Sequence, residues 1–131
     1  MQERLLREFS AKGGHFSENF TFADKYSHYS GSNTAATVAW FIDNSGSRTR
    51  EVGRLASNEL GIYDMSGNVW DLWGDYTADP KTDPTGASSG SDCVMRGGCF
   101  INVATDLRSV HRGFTTPGTQ NGAIGFRVVR P

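Results

Sequence analysis

Asp64 and Asp71 are the residues whose types and spacing best suit a cation. Asp64-Met65-Ser66-Gly67 places Asp first and Gly fourth, the preference of a type I β-turn. Asp71 follows in Val69-Trp70-Asp71, an apolar setting where an unpaired carboxylate is costly and must be neutralised. A hard cation such as Ca2+ takes carboxylate and carbonyl oxygens in flexible geometry, and a turn folding back toward Asp71 supplies both. An arginine partner, Arg127 or Arg96, is the alternative.

Nucleophilic chemistry has one candidate, Cys99 beside Gly98 with His111 as its base, and a structural cysteine is the competing reading. The serines have no G-x-S-x-G setting, and no glycine loop has phosphate-binding form. His15 and His28 have no His, Cys or carboxylate at ligand spacing, so both read as surface or hydrogen-bonded histidines. Cys93 and Cys99 are too few for a disulfide framework and lack C-x-x-C spacing, so both read as buried thiols.

These groups need elements to position them. Gln2 to Lys12 puts Leu5, Leu6 and Phe9 on one helical face, and Gly13-Gly14 is its stop signal. His15 to Tyr29 reads as loop with aromatic spots. Ala36 to Ile42, ATVAWFI, is an apolar run that fits a buried strand or one helical turn, with Trp40 in the core. Arg48, Arg50 and Arg54 read as a solvated face, and Asp75 to Asp92 as an exposed loop. Cys93 to Arg96 and Ile124 to Arg130 are strand candidates flanking a long stretch of little regular pattern. Long loops in compact domains are usually functional or disordered. Arg108, Arg112 and Arg127 are the candidate anchors for this one, since guanidinium groups bond several carbonyls at once.

The length of 131 residues suits one domain with a real core. A formal net charge of -1 favours neither nucleic acid nor an anionic membrane. No apolar run is long enough to span a bilayer, and MQERLLREF is polar where a signal peptide would be apolar. The 16 Gly, 3 Trp and 8 Phe suit a loop-rich α+β domain better than a helical bundle.

EFSAKGG at Glu8–Gly14, VAW at Val38–Trp40, NELGIYDMSGNVWDLW at Asn58–Trp73, Arg96-Gly97-Gly98, LRSVHR and the final IGFRVVRP together resemble the formylglycine-generating enzyme or sulfatase-modifying factor family. The resemblance implies one α+β domain over residues 1–131, of the C-type lectin-like fold. The family's usual opening strands would precede Met1, so the chain is expected to be a fragment or a shortened variant. It also implies a structural Ca2+ held by the Asp64 side chain, the Gly67 and Val69 carbonyls and the Asp71 carboxylate. In the family's enzymes two cysteines after the Gly-Gly step bind copper and oxidise a substrate cysteine. Those places fall on Asn102 and Leu107, so neither copper nor oxidase chemistry is expected.

The last segment is also similar to the variable region of proteins diversified by retroelements, which use this fold. Relatives read RGGSWNNNA, LRSA or LRSV, an Arg with a run of asparagines, and IGFR. This chain departs from asparagine at Ile101, Val103, Thr105, Gly113, Phe114 and Thr115. Adenine-directed mutagenesis of an AAC codon cannot reach Lys, Glu, Gln, Met or Trp, and from Gly97 to Pro131 only Gln120 belongs to that set.

The resemblance thus implies a non-enzymatic ligand-binding domain with a variable segment at 97–123, in a cell-surface, phage or otherwise extracellular setting. Its expected ligand-binding residues are Phe100, Ile101, Asn102, Val103, Thr105, Asp106, His111, Gly113, Phe114, Thr115, Gly122 and Ala123. The partner is a protein or cell-surface ligand, without nucleic acid or membrane insertion. A core position is the alternative for Phe100 and Ile101. Two other functions stay open: a divergent oxidase or related sulfur-chemistry enzyme using Cys99, and a structural domain of a surface or phage protein.

Overall fold

The apolar run at ATVAWFI resolves into both of its alternatives in the computed structural model, which describes residues 27–76 and 90–128. Helix α1 (Ala35–Val38) is a single turn, strand β1 (Ala39–Trp40) follows directly, and helix α2 (Ile42–Ser45) begins after Phe41. Val38, Ala39 and Phe41 are buried, so this zigzag threads the core with hardly any regular structure of its own. A side chain of the segment itself satisfies part of its backbone: Asn44 accepts from the Phe41 N–H at 2.8 Å and donates to the Ala39 carbonyl at 2.9 Å.

Strand β1 pairs in parallel with β2 (Ser66–Gly67), Trp40 facing Gly67. Only glycine fits there. Gly67 has φ +79°, and a Cβ on it would lie 2.4 Å from the Trp40 carbonyl oxygen.

The larger sheet runs β5-β4-β3-β6, with β3 at Trp70–Tyr76, β4 at Cys93–Arg96, β5 at Gly113–Thr115 and β6 at Ile124–Gly125. β3 is antiparallel to β4 and parallel to β6, and β4 is antiparallel to β5. Asp71 therefore lies between Arg96 on one side and Gly125 on the other. One core gathers Tyr29, Ala35, Val38, Ala39, Phe41 and Leu107, and a second gathers Trp70, Met95 and Cys99.

Several expectations are revised. The last strand is shorter than Ile124 to Arg130: pairing stops at Gly125, and residues 126–128 are exposed. The stretch between the two strand candidates contains a 3-10 helix at Ala104–Leu107 and the strand β5, whose three residues and leading glycine are too short a pattern to read. Trp40 is half-buried, not fully core, and Arg50 leaves the solvated face to stack on it, 5.6 Å from the ring centroid. Arg50 also donates from Nε to the Ser45 carbonyl at 2.6 Å. Both cysteines are free and buried. The helix expected at Gln2–Lys12, most of the His15–Tyr29 loop and the body of the Asp75–Asp92 loop lie outside the described residues. Among the described residues no helix is long and apolar enough to cross a membrane.

Candidate functional site

The segment from Asp64 to Asn68 holds backbone conformations that L-amino acids rarely adopt. In place of the type I turn expected over Asp64–Gly67, Ser66 and Gly67 pair as β2, and the Gly67 N–H bonds the Gly97 carbonyl at 2.8 Å. Asp64 and Asn68 have φ of 54° and 64°, in the left-handed region that Asp and Asn tolerate best among side-chain-bearing residues. Each is held in place by its side chain. Asp64 Oδ2 accepts the Gly53 N–H at 2.7 Å. Asn68 accepts the Arg50 N–H at 3.0 Å and donates to the Arg50 carbonyl at 3.1 Å. Ser66 donates to the Leu107 carbonyl at 3.0 Å and accepts the Ser30 N–H at 3.2 Å, which ties the turn to distant loops.

Asp71, buried on β3, meets Arg127: Nε lies 2.8 Å from Asp71 Oδ2. The same guanidinium donates from Nη1 to the Tyr63 carbonyl at 2.9 Å and from Nη2 to the Asp64 carbonyl. Arg127, one of the two arginines considered for Asp71, is thus ion-paired with it. Gly67 faces Trp40, and half-buried Val69 packs against Gly125.

Arg96 plays a part that the sequence did not show. It is buried, and its Nη1 donates to the Val110 and His111 carbonyls at 3.1 Å each, fixing the chain just before β5. A buried guanidinium needs several acceptors, and these two consecutive carbonyls are among them. Arg127, expected to anchor this loop, instead donates to Asp71 and to the Tyr63 and Asp64 carbonyls, outside the 97–123 stretch. Arg108, by contrast, is exposed and makes no side-chain hydrogen bond or ion pair among the described residues, and Arg112 is half-buried.

Beyond Gly98 the chain alternates. Phe100, Asn102, Ala104 and Asp106 are half-buried, while Ile101, Val103 and Thr105 are exposed. The inward residues hold the loop. Phe100 packs on the Trp70 cluster, and Asn102 Oδ1 accepts both the Cys99 N–H and the Cys99 thiol at 2.9 Å. Asn102 also donates to Asp106 Oδ2 at 3.0 Å, and its carbonyl receives the Ile42 N–H at 3.1 Å. Burial pushes the Cys99 thiol above its ordinary value of 9.0; the Asp106 charge adds to this, against hydrogen bonds from Ile101, Asn102 and Trp70.

The remaining site residues divide in the same way. His111 lies 6.0 Å from the Trp70 ring and 3.9 Å from Asp106. Gly113 sits under Trp70, where a Cβ would meet the ring at 3.0 Å. Phe114 and Gly122 are exposed, Thr115 is half-buried, and Ala123 packs beneath Trp70 and accepts its N–H at 2.7 Å. Val110, 66% exposed, belongs with Ile101, Val103 and Phe114 on the outward apolar set. Its neighbours in LRSVHR read as framework, which hid it. Cys99 and His111 show no mutual hydrogen bond among the described residues.

The sulfatase-modifying factor enzyme 1-like domain model matches residues 4–131. The chain belongs to that family. It is 38% identical over 140 residues to the chaperone protein LppX of Paenibacillus barcinonensis, covering 94% of this chain and 46% of that protein. It is 32% identical over 88 residues to the formylglycine-generating enzyme of Streptomyces coelicolor, covering 60% of this chain and 28% of the enzyme. Its structure is similar to Treponema denticola variable protein 1, with a TM-score of 0.76 and 34% identity over 92% of this chain and 43% of that one. The chain spans less than half the length of each of these three relatives. The family therefore includes enzymes, and a structural neighbour carries the name of a variable protein.

Proposed function

We propose that this sulfatase-modifying factor domain is a non-enzymatic binding module of C-type lectin-like fold and of the retroelement-diversified kind, meeting a protein or other surface ligand through segment 97–123. One observation carries this reading. Ile101, Val103, Thr105 and Phe114, four of the positions that depart from the relatives' asparagine, point to solvent, while the intervening side chains hold the loop. Exposed Ile, Val and Phe offer apolar contact area on a braced backbone, the arrangement that supports protein recognition. The likeness to a variable protein supports the same reading.

Display of the 131-residue chain with Ile101, Val103, Thr105 and Phe114 randomised, panned against hen lysozyme as a test protein, should yield folded clones that bind it. Folded clones without binding after repeated rounds, or a library that does not fold, would oppose the proposal.

An enzymatic reading has its own support in the 32% identity to a formylglycine-generating enzyme. Against it, the Asn102 amide is spent on Cys99 and Asp106, and Leu107, at the other position the resemblance assigns to copper-binding cysteine, is fully buried. Incubation with copper, oxygen and a thiol peptide is expected to give no turnover, and turnover lost in Cys99→Ser would favour the enzyme.

A further inference from the structure

The family resemblance brings Asp64 and Asp71 together on Ca2+, and the geometry joins the same two residues differently. Asp71 Oδ2 lies 2.8 Å from Arg127 Nε, the Tyr63 carbonyl lies 2.9 Å from Nη1, and the Asp64 carbonyl receives Nη2. One oxygen of the Asp64 carboxylate is spent on the Gly53 N–H at 2.7 Å. We propose that the Arg127 guanidinium is the resident cation of the Tyr63–Asp71 turn and that the fold of this chain does not depend on a divalent metal.

The residues present do not fit Ca2+ alongside this arginine. Ca2+ draws on six to eight oxygens at roughly 2.3–2.6 Å. Here one oxygen of each carboxylate that the resemblance assigns to Ca2+ already accepts a hydrogen, Asp71 Oδ2 from Arg127 and Asp64 Oδ2 from the Gly53 N–H. A metal bound to Asp71 would place a second positive centre beside the first, in a site where Asp71 is nearly inaccessible and solvent screens poorly. Arginine suits the task because its planar fork presents five donors in fixed directions, so one side chain bridges a carboxylate and two carbonyls. Being covalently tethered, it also ties the segment after β6 to the turn. Arg127 reaches inward while its neighbours Phe126 and Val128 are 78% and 86% exposed.

Thermal melts of the intact chain in excess EGTA and in millimolar CaCl2, with metal analysis after dialysis, test the metal half of the proposal. The melting temperature should agree within about 1 °C between the two buffers, with no stoichiometric calcium retained. One Ca2+ per chain, with a melting temperature that falls in EGTA, would overturn it. The same melts on Arg127→Gln and Arg127→Lys test the guanidinium half. Arg127→Gln should melt on the order of 5 °C lower, with Arg127→Lys falling between it and the parent because one ammonium cannot reach all three acceptors. An Arg127→Gln chain as stable as the parent would overturn the proposal. Should Arg127→Gln not fold, the lysine variant and the parent's response to EGTA still decide it.

Discussion

From Asp64 to Asp71 every residue but Val69 is buried, whereas from Phe100 to Asp106 none is fully buried and every second one faces water. The two stretches are of similar length and both lack long regular elements. They differ in where their side chains spend their bonding capacity. In the first, Asp64, Ser66, Asn68 and Asp71 each satisfy a group from a distant part of the chain. In the second, the Asn102 and Asp106 side chains bond within the loop and to Cys99, Phe100 packs on the Trp70 cluster, and the Ile101, Val103 and Thr105 side chains are exposed. A loop can therefore be well placed and still leave part of its sequence free, provided its bracing comes from alternate positions.

Substitutions should break or sharpen this contrast in proportion to what each residue holds. Gly67→Ala combines a positive φ with a Cβ 2.4 Å from a backbone oxygen that has little room to move. It should cost roughly 4 kcal/mol or abolish folding, read by urea denaturation; a loss below about 1 kcal/mol would show the turn to be more pliable than its burial implies. Asn68→Ala strands the N–H and carbonyl of Arg50 and puts alanine at φ 64°. A loss of about 2–3 kcal/mol is expected in the same assay.

A smaller effect belongs to pH. Cys99 has its thiol raised above 9.0, chiefly by burial, so the folded chain keeps a proton that the unfolded chain gives up. The unfolded state then binds fewer protons, and stability falls as pH rises past about 9. This contribution is intact below that value. Replacing Cys99 with Ala should flatten the alkaline fall in melting temperature relative to the parent, whatever its effect on the melting temperature at neutral pH.

Much of the framework was legible because its signals are local and chemically specific. The costly carboxylate of Asp71 is visible from its apolar neighbours, and the need for a partner follows from solvation alone, whereas the Asp-x-x-Gly pattern gave no sign that Ser66 and Gly67 would pair as a strand with Ala39 and Trp40. Which partner is a matter of topology. The parallel pairing of Trp70 with Ile124 is what brings Arg127 beside Asp71, and residues so far apart in sequence give no local clue to it. The same limit hid Arg96, whose acceptors Val110 and His111 reach it only because β4 and β5 pair. In the loop, the departures from asparagine marked Ile101, Val103, Thr105 and Phe114, all exposed. They also marked Gly113, whose close contact with Trp70 no periodicity foretells. The apolar run at ATVAWFI was ambiguous because it holds a helical turn and a strand in succession, each too short to impose its own period.

The separation of framework from outward surface is most directly tested by measuring folding across single substitutions at Asp64–Asp71 and at Ile101, Val103, Thr105 and Phe114, with a protease-resistance readout on displayed chains. The outward positions should accept polar and apolar replacements within about 0.5 kcal/mol of the parent, while most changes from Asp64 to Asp71 cost more than about 1 kcal/mol. Equal sensitivity in the two sets, or greater sensitivity at the outward positions, would contradict the account.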